Sequence, residues 1–298
     1  MARSHRSTLL SLGCVALCAA LASCRSLDKS PVSQSVVQCR QMTQQGVNAM
    51  ERGDWRRAES LLEQAVATNA DDLDARRNYA ETLWQRGAKA EALAQLEEAR
   101  KLVPCDPPLT VRTGEVYLEM GQVNLATQMV DDALRVDPKS AAAWALRGQV
   151  TRATGHPREA LADFQRSLGY APGDYRVSLL VAETYRQLNE PEQAFVALQT
   201  LADRYPPGEA PQQVLHLEGL ALSAQSRYDD AARILSEATQ RQRPGADLLC
   251  DLAQAELMAG RLPRAQYALQ QALTLDPNHA ASQALSLRIA TAGRPLVR

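Results

Sequence analysis

The sequence predicts an all-α fold, a solenoid of about seven helical hairpins with a capping helix behind them. Two observations predict it. Residues 107–140 and 141–174 lie over one another at a period of thirty-four residues, so that Gly114, Tyr117, Gly121, Ala126, Val130, Ala133 and Pro138 recur as Gly148, Thr151, Gly155, Ala160, Phe164, Ser167 and Pro172. A fixed period of that length marks a repeat array. Composition agrees, since 45% of residues are hydrophobic but only 4% aromatic. Apolar content carried by alanine and leucine favours helix over sheet.

One copy explains the others. Ala126, Val130, Ala133 and Leu134 fall at helical intervals and form a one-sided stripe that a helix must bury. Gly121 and Gly155 stand where the preceding helix stops, because glycine takes the left-handed conformation of a helix end without steric cost. Pro138 and Pro172 close the second helix; each removes a backbone donor and drives the residue before it out of helical geometry. Gly114 and Ala126 are small enough to let helix axes approach to about 8–10 Å. The unit is a helical hairpin.

Trp144 stands at the fourth position of its copy, and the resulting spacing of Trp, Gly, aromatic, Gly, Ala, apolar, Ala and Pro resembles the tetratricopeptide repeat family. The resemblance implies a right-handed α-solenoid whose first helices line a concave face. It extends over seven copies, 39–72, 73–106, 107–140, 141–174, 175–208, 212–245 and 246–279, followed by a capping helix and tail over 280–298. Alanine holds the twentieth position in every copy, as Ala58, Ala92, Ala126, Ala160, Ala194, Ala231 and Ala265. Asn189 and Ser226 replace the turn glycine in the fifth and sixth copies, and asparagine is the next best left-handed residue. Between those copies Glu209-Ala210-Pro211 shifts the phase, and Pro206, Pro207 and Pro211 around Gly208 predict an extended joint.

The beginning of the chain differs. Arg3 and Arg6 precede an uncharged run from Ser7 to Ser23, shorter than a membrane span of roughly 20 residues and suited to an export signal. The run ends in Leu21-Ala22-Ser23-Cys24, which resembles the lipobox read by bacterial lipoprotein signal peptidase. That resemblance implies a signal peptide over 1–23, cleavage before Cys24 and lipid attachment to its thiol. Residues 24–38 then read as the lipidated cysteine and a flexible tether, with Ser26, Ser30, Ser33, Ser35 and Pro31 and no helical stripe, the alternative being that the last turn of Val32 to Gln38 extends the first helix backwards. The location implied is the cell envelope, lipid-anchored, at the outer membrane facing the periplasm, because Arg25 rather than Asp follows the cysteine.

Loss of Arg3 and Arg6 with the signal peptide takes the formal net charge from −1 to −3. Such a balance does not support nucleic-acid binding, which calls for a basic patch. Cys39, Cys105 and Cys250 remain beyond the lipidated cysteine, an odd number without metal-like spacing, and read as small core residues. No metal site or cofactor is expected. There is no glycine-rich phosphate loop, nucleophile elbow or pair of histidines on one helical face, so the chain reads as non-enzymatic and no small-molecule substrate is expected. Of the four histidines, His216 alone is placed to face the groove.

In the family resembled, the second, fifth, ninth and twelfth positions commonly point into the groove. The resemblance thus selects Arg77 at a fifth position, Glu81, Glu115, Gln149 and Glu183 at ninth positions, and Trp84, Leu118, Arg152 and Arg186 at twelfth positions. An acidic row beside apolar residues suits an extended or helical partner segment with apolar anchors and some positive charge. A clamp for C-terminal carboxylates is excluded, because Arg77 is the only cation at a fifth position and Glu81 follows it. The chain therefore reads as a scaffold or adaptor for other envelope proteins. Two alternatives stay open: an accessory or regulatory subunit of an envelope enzyme or of a secretion or pilus assembly complex, resembling a pilotin, and a receptor for peptide or glycan.

Overall fold

The structure, a computed structural model, describes residues 33–292. These fall into two compact units, one ending at Leu102 and one beginning at Val103. The first holds α1 (Gln34–Glu51), α2 (Trp55–Thr68), α3 (Leu73–Gln85) and α4 (Lys89–Leu102). The second opens with α5 (Pro107–Glu119), α6 (Val123–Val136), α7 (Ala141–Ala153), α8 (Pro157–Tyr170), α9 (Tyr175–Gln187) and α10 (Pro191–Ala202). It continues with α11 (Gln212–Ala224), α12 (Tyr228–Arg241), α13 (Ala246–Met258), α14 (Leu262–Leu275) and α15 (Ala280–Ala292). There is no strand among the described residues, and the all-α hairpin fold expected from the repeat is what each unit shows. No described helix is long and apolar enough to cross a membrane.

Helices pack in sequence order, α1 on α2 and α3 on α4 in the first unit, then α5 on α6 through α13 on α14 in the second, with α15 laid on α13 and α14. Each helix has two ends to satisfy, and the loops do this in a repeated way. Ser33, Asp54, Asp72, Asp106, Ser140 and Asp174 each accept a hydrogen bond from the backbone N–H three residues on, capping the helix that follows. Within each hairpin the turn residue has positive φ, including Asn189 at 56° and Ser226 at 60°. The Ser226 N–H bonds the Ser223 carbonyl at 3.0 Å, so the turn keeps its closing bond although a side chain stands in left-handed backbone.

The core is built from the small residues. All seven alanines of the twentieth position have no exposed surface. Opposite them, a Cβ placed on Gly46, Gly114, Gly148 or Gly219 would come within 3.0 Å of a packed side chain, so these four helices approach where only hydrogen fits. Trp144 adds a second tie. Its indole N–H donates to the Pro138 carbonyl at 2.9 Å, and the guanidinium groups of Arg147 and Arg166 lie 4.1 and 4.3 Å from the ring centroid. Arg147 in turn binds the buried Asp163 carboxylate through two nitrogens, which compensates that charge.

Three expectations change. Helix α1 starts at Gln34, so the flexible tether expected over 24–38 does not reach Gln38; Ser33 caps the helix, and Val36 and Cys39 begin its buried side. The joint after α10 is not extended, because it turns at Gly208 with φ 79° and the Glu209 N–H bonds the Pro206 carbonyl at 2.9 Å. Cys39 and Cys250 are buried as core residues, with burial raising the pKa of both thiols, but Cys105 is exposed in the loop before α5. A loop between helices has no stripe to bury. The expected signal peptide over 1–23, the expected lipid-bearing Cys24 and the expected tail over 293–298 lie outside the described residues.

The glycine approach yields a stability test. An alanine Cβ at 148 would stand 2.5 Å from Phe164 Cε1, on a ring without exposed surface. Alanine gains about 0.5–1 kcal/mol of helix preference over glycine, whereas overpacking costs about 1–3 kcal/mol. Gly148→Ala is expected to lower unfolding stability by about 1 kcal/mol in urea titrations, the overpacking outweighing the helix gain.

Glu218 yields a pH test. It is 7% exposed on α11, and burial pushes its carboxyl pKa up, with Arg233 opposing and Glu237 and Asp203 adding to the rise. The folded state therefore holds this proton more tightly than the unfolded chain. The group favours folding most at low pH, and that contribution falls as pH rises from the ordinary carboxylate range through the raised value. Glu218→Gln is expected to remove this part of the decline, seen as a smaller loss of urea midpoint between about pH 4 and about pH 8.

Candidate partner-binding site

In the second unit the first helices of successive hairpins touch: α5 with α7, α7 with α9, α9 with α11 and α11 with α13. The second helices of successive hairpins do not meet in this way. A stack whose first layer is the more closely spaced curves toward that layer, which places α5, α7, α9 and α11 on the inner side. Residues a fixed thirty-four positions apart then stand side by side across neighbouring helices. Glu115, Gln149 and Glu183 accordingly line one cavity of about 340 Å³.

The cavity exists because of what surrounds that row. Ala142 and Ala145 face it from α7, between the bulkier copies on either side, and Val177, Leu179 and Leu180 supply apolar surface from α9. Ala145, Val177 and Leu179 are buried, whereas Ala142 and Arg176 are exposed. Tyr175 and Gln213 complete the polar part of the wall, and Asp174 is occupied in capping α9. Tyr175 stands edge-on to Tyr205 with centroids 6.5 Å apart, and burial raises its phenol pKa.

Neither acid of the row is an open negative charge. Glu115 Oε2 accepts from Arg112 Nη1 at 2.9 Å within α5, and Glu183 Oε2 accepts from Arg152 Nη1 at 3.1 Å across the α7–α9 boundary. Both acids of the cavity row thus have a partner within the chain, which the sequence did not announce. Helical spacing hid it, because Arg112 sits outside the groove positions and Arg152 is thirty-one residues from Glu183 in sequence.

The other selected residues are distributed as follows. Leu118 is half-buried one turn along α5 from Glu115, and Arg186 is exposed near the end of α9. Arg77, Glu81 and Trp84 belong to the first unit, all on α3. Arg77 is exposed, Glu81 accepts from Gln85 Nε2 at 2.8 Å, and Trp84 is half-buried with Lys89 Nζ 4.8 Å from its ring centroid. His216 is engaged, since its Nε2 stands 2.7 Å from Asp251 Oδ2 on α13. Ala142, Tyr175, Arg176 and Gln213 were not selected from the sequence, although Ala142, Arg176 and Gln213 each occupy the second position of a repeat, which was the available clue. Among the described residues no group of three His, Cys, Asp or Glu side chains is arranged to hold a metal ion.

Two family models, both described as tetratricopeptide repeat, match the chain, one over 43–107 and 216–280 and the other over 90–150 and 152–215. No curated protein matches it. Among solved structures it is similar to a tetratricopeptide repeat protein from Parabacteroides merdae, with 16% identity, a TM-score of 0.64, and coverage of 87% of this chain and 100% of that one. It is also similar to PilW, described as a widely conserved type IV pilus biogenesis factor, at 18% identity and TM-score 0.64 over 72% of this chain and 97% of that one. Pseudomonas aeruginosa pilF is a third, at 15% identity and TM-score 0.51 over 86% of this chain and 100% of that one. Likeness at these identities is likeness of fold.

The Arg152–Glu183 pair joins two hairpins, yet its side chains keep 26% and 35% of their surface exposed. Solvent screening sets its worth at about 0.2–1 kcal/mol. A double-mutant cycle on Arg152→Ala and Glu183→Ala is expected to return a coupling in that range, shrinking as salt is raised.

Proposed function

We propose that this chain, which belongs to the tetratricopeptide repeat family, is a non-catalytic scaffold that holds a segment of a partner protein on the inner face of its second unit and is itself held at the cell envelope by lipid on Cys24. Arrays of this family bring protein partners together, and here the single observation carrying the site is the cavity to which three successive hairpins contribute the same repeat position. A concave, largely preformed hollow with an apolar floor and a few polar groups is what recognition of a peptide segment requires.

The anchor rests on sequence. Arg3, Arg6, the uncharged run and Leu21-Ala22-Ser23-Cys24 occur in the order an exported lipoprotein needs. More than one acyl chain is needed for stable attachment, and a lipidated N-terminal cysteine carries several. Envelope proteins are the partners that such a tether brings within reach. A pilus-assembly role would fit the same placement, but the fold shared with PilW and pilF at 18% and 15% identity does not transfer their roles.

A photo-crosslinking residue placed at Gln149, compared with one at the exposed Tyr267 on α14, tests the reading in intact cells. The expected outcome is one set of crosslinked proteins from position 149 only, recovered in the membrane fraction. Equal capture at both positions argues against the inner face. In the same cells Cys24→Ser is expected to move the chain to the soluble fraction, and retention on membranes would count against the lipid anchor.

A further inference from the structure

We propose that the cavity between α7 and α9 takes one large apolar side chain of a partner segment that carries a carboxylate beside it; this rests on the scaffold reading above. Size comes first. The second and fifth positions of the third and fifth copies are Pro108, Val111, Arg176 and Leu179, whereas the fourth copy has only Ala142 and Ala145. These two small side chains leave volume unfilled on the α7 side of the hollow of about 340 Å³. Its floor at Ala145, Val177 and Leu179 offers no polar side chain, so a buried occupant gains by being apolar and would lose hydration if it were charged.

Charge then selects what flanks the anchor. Glu115 and Glu183 are already bound by Arg112 and Arg152, and Asp174 accepts the backbone N–H of Val177. A cation arriving from a partner would meet carboxylates whose charge is already balanced by Arg112 and Arg152 and so gains little from them. Arg176 is exposed at the edge of the same hollow, and Arg186 is exposed two turns and more along the same helix. A carboxylate next to the anchor meets a guanidinium without breaking an existing pair. Gln149 and Gln213 leave amide groups in the wall for the backbone of the bound segment.

A phage-displayed library of random peptides, selected on the full chain, supplies the probe. Enriched peptides are then measured by fluorescence anisotropy on the parent, on Ala142→Trp, which fills the hollow from an exposed position, and on Arg176→Glu. Enriched peptides are expected to share an apolar residue adjacent to Asp or Glu. Ala142→Trp should weaken their binding by at least about tenfold, as loss of an anchor pocket does. On Arg176→Glu the preferred flanking residue should change from acidic to basic. Ala145→Leu, narrowing the hollow from its floor, replaces Ala142→Trp if circular dichroism shows that variant unfolded. Enrichment of basic peptides, binding indifferent to Ala142→Trp, or no enrichment at all overturns the proposal. If crosslinking from Gln149 still captures partners in those cases, the anchor chemistry fails while the scaffold reading stands; if that too is empty, both fall.

Discussion

Everything in this fold depends on how closely two helix backbones approach within a hairpin. At Gly46, Gly148 and Gly219 a side chain of the same hairpin occupies the space of a Cβ, at Gly114 Met129 of its own hairpin and Leu146 of the next do so, and at the twentieth position alanine is enclosed in every copy. Tight packing at these points determines where each second helix lies on its first, and that in turn places the next hairpin. No hairpin buries its own stripe. Phe164, Leu198 and Leu235 are fully enclosed in the stack, each hairpin packs on the next, and α15 covers the last one.

The same packing creates the candidate site without any residue being reserved for it. First helices that touch from copy to copy bring Glu115, Gln149 and Glu183 together, and two alanines in one copy leave the hollow between them. Arginines from outside the row then neutralise its acids. The hollow is therefore an apolar recess with amides in its wall and Arg176 at its edge, a different chemistry from that of the row read by itself.

Much of this was legible because the deciding features are local and periodic. Turn glycines, closing prolines and enclosed alanines recur at one spacing, and Asn189 announces itself as a left-handed substitute by standing where glycine is due. What was misread lies where local pattern and neighbours disagree. Ser35 and Gln38 look like tether by composition, but Val36 and Cys39 give the segment a buried side and the helix extends back to Ser33. Cys105 looks like a core thiol by type, yet it lies exposed in a loop.

By itself the sequence determined the class of fold, the hairpin, its period and the residues that allow close approach, because each follows from the conformational limits of glycine, proline and alanine acting within a few residues. Only the tertiary structure decided which charges are spent on each other and where volume is left over. Arg152 meets Glu183, and Ala142 faces the surface of α9, through the stacking of one hairpin on the next. Such pairings depend on distances between side chains far apart in the chain, and periodicity carries no information about those distances until the helices are packed.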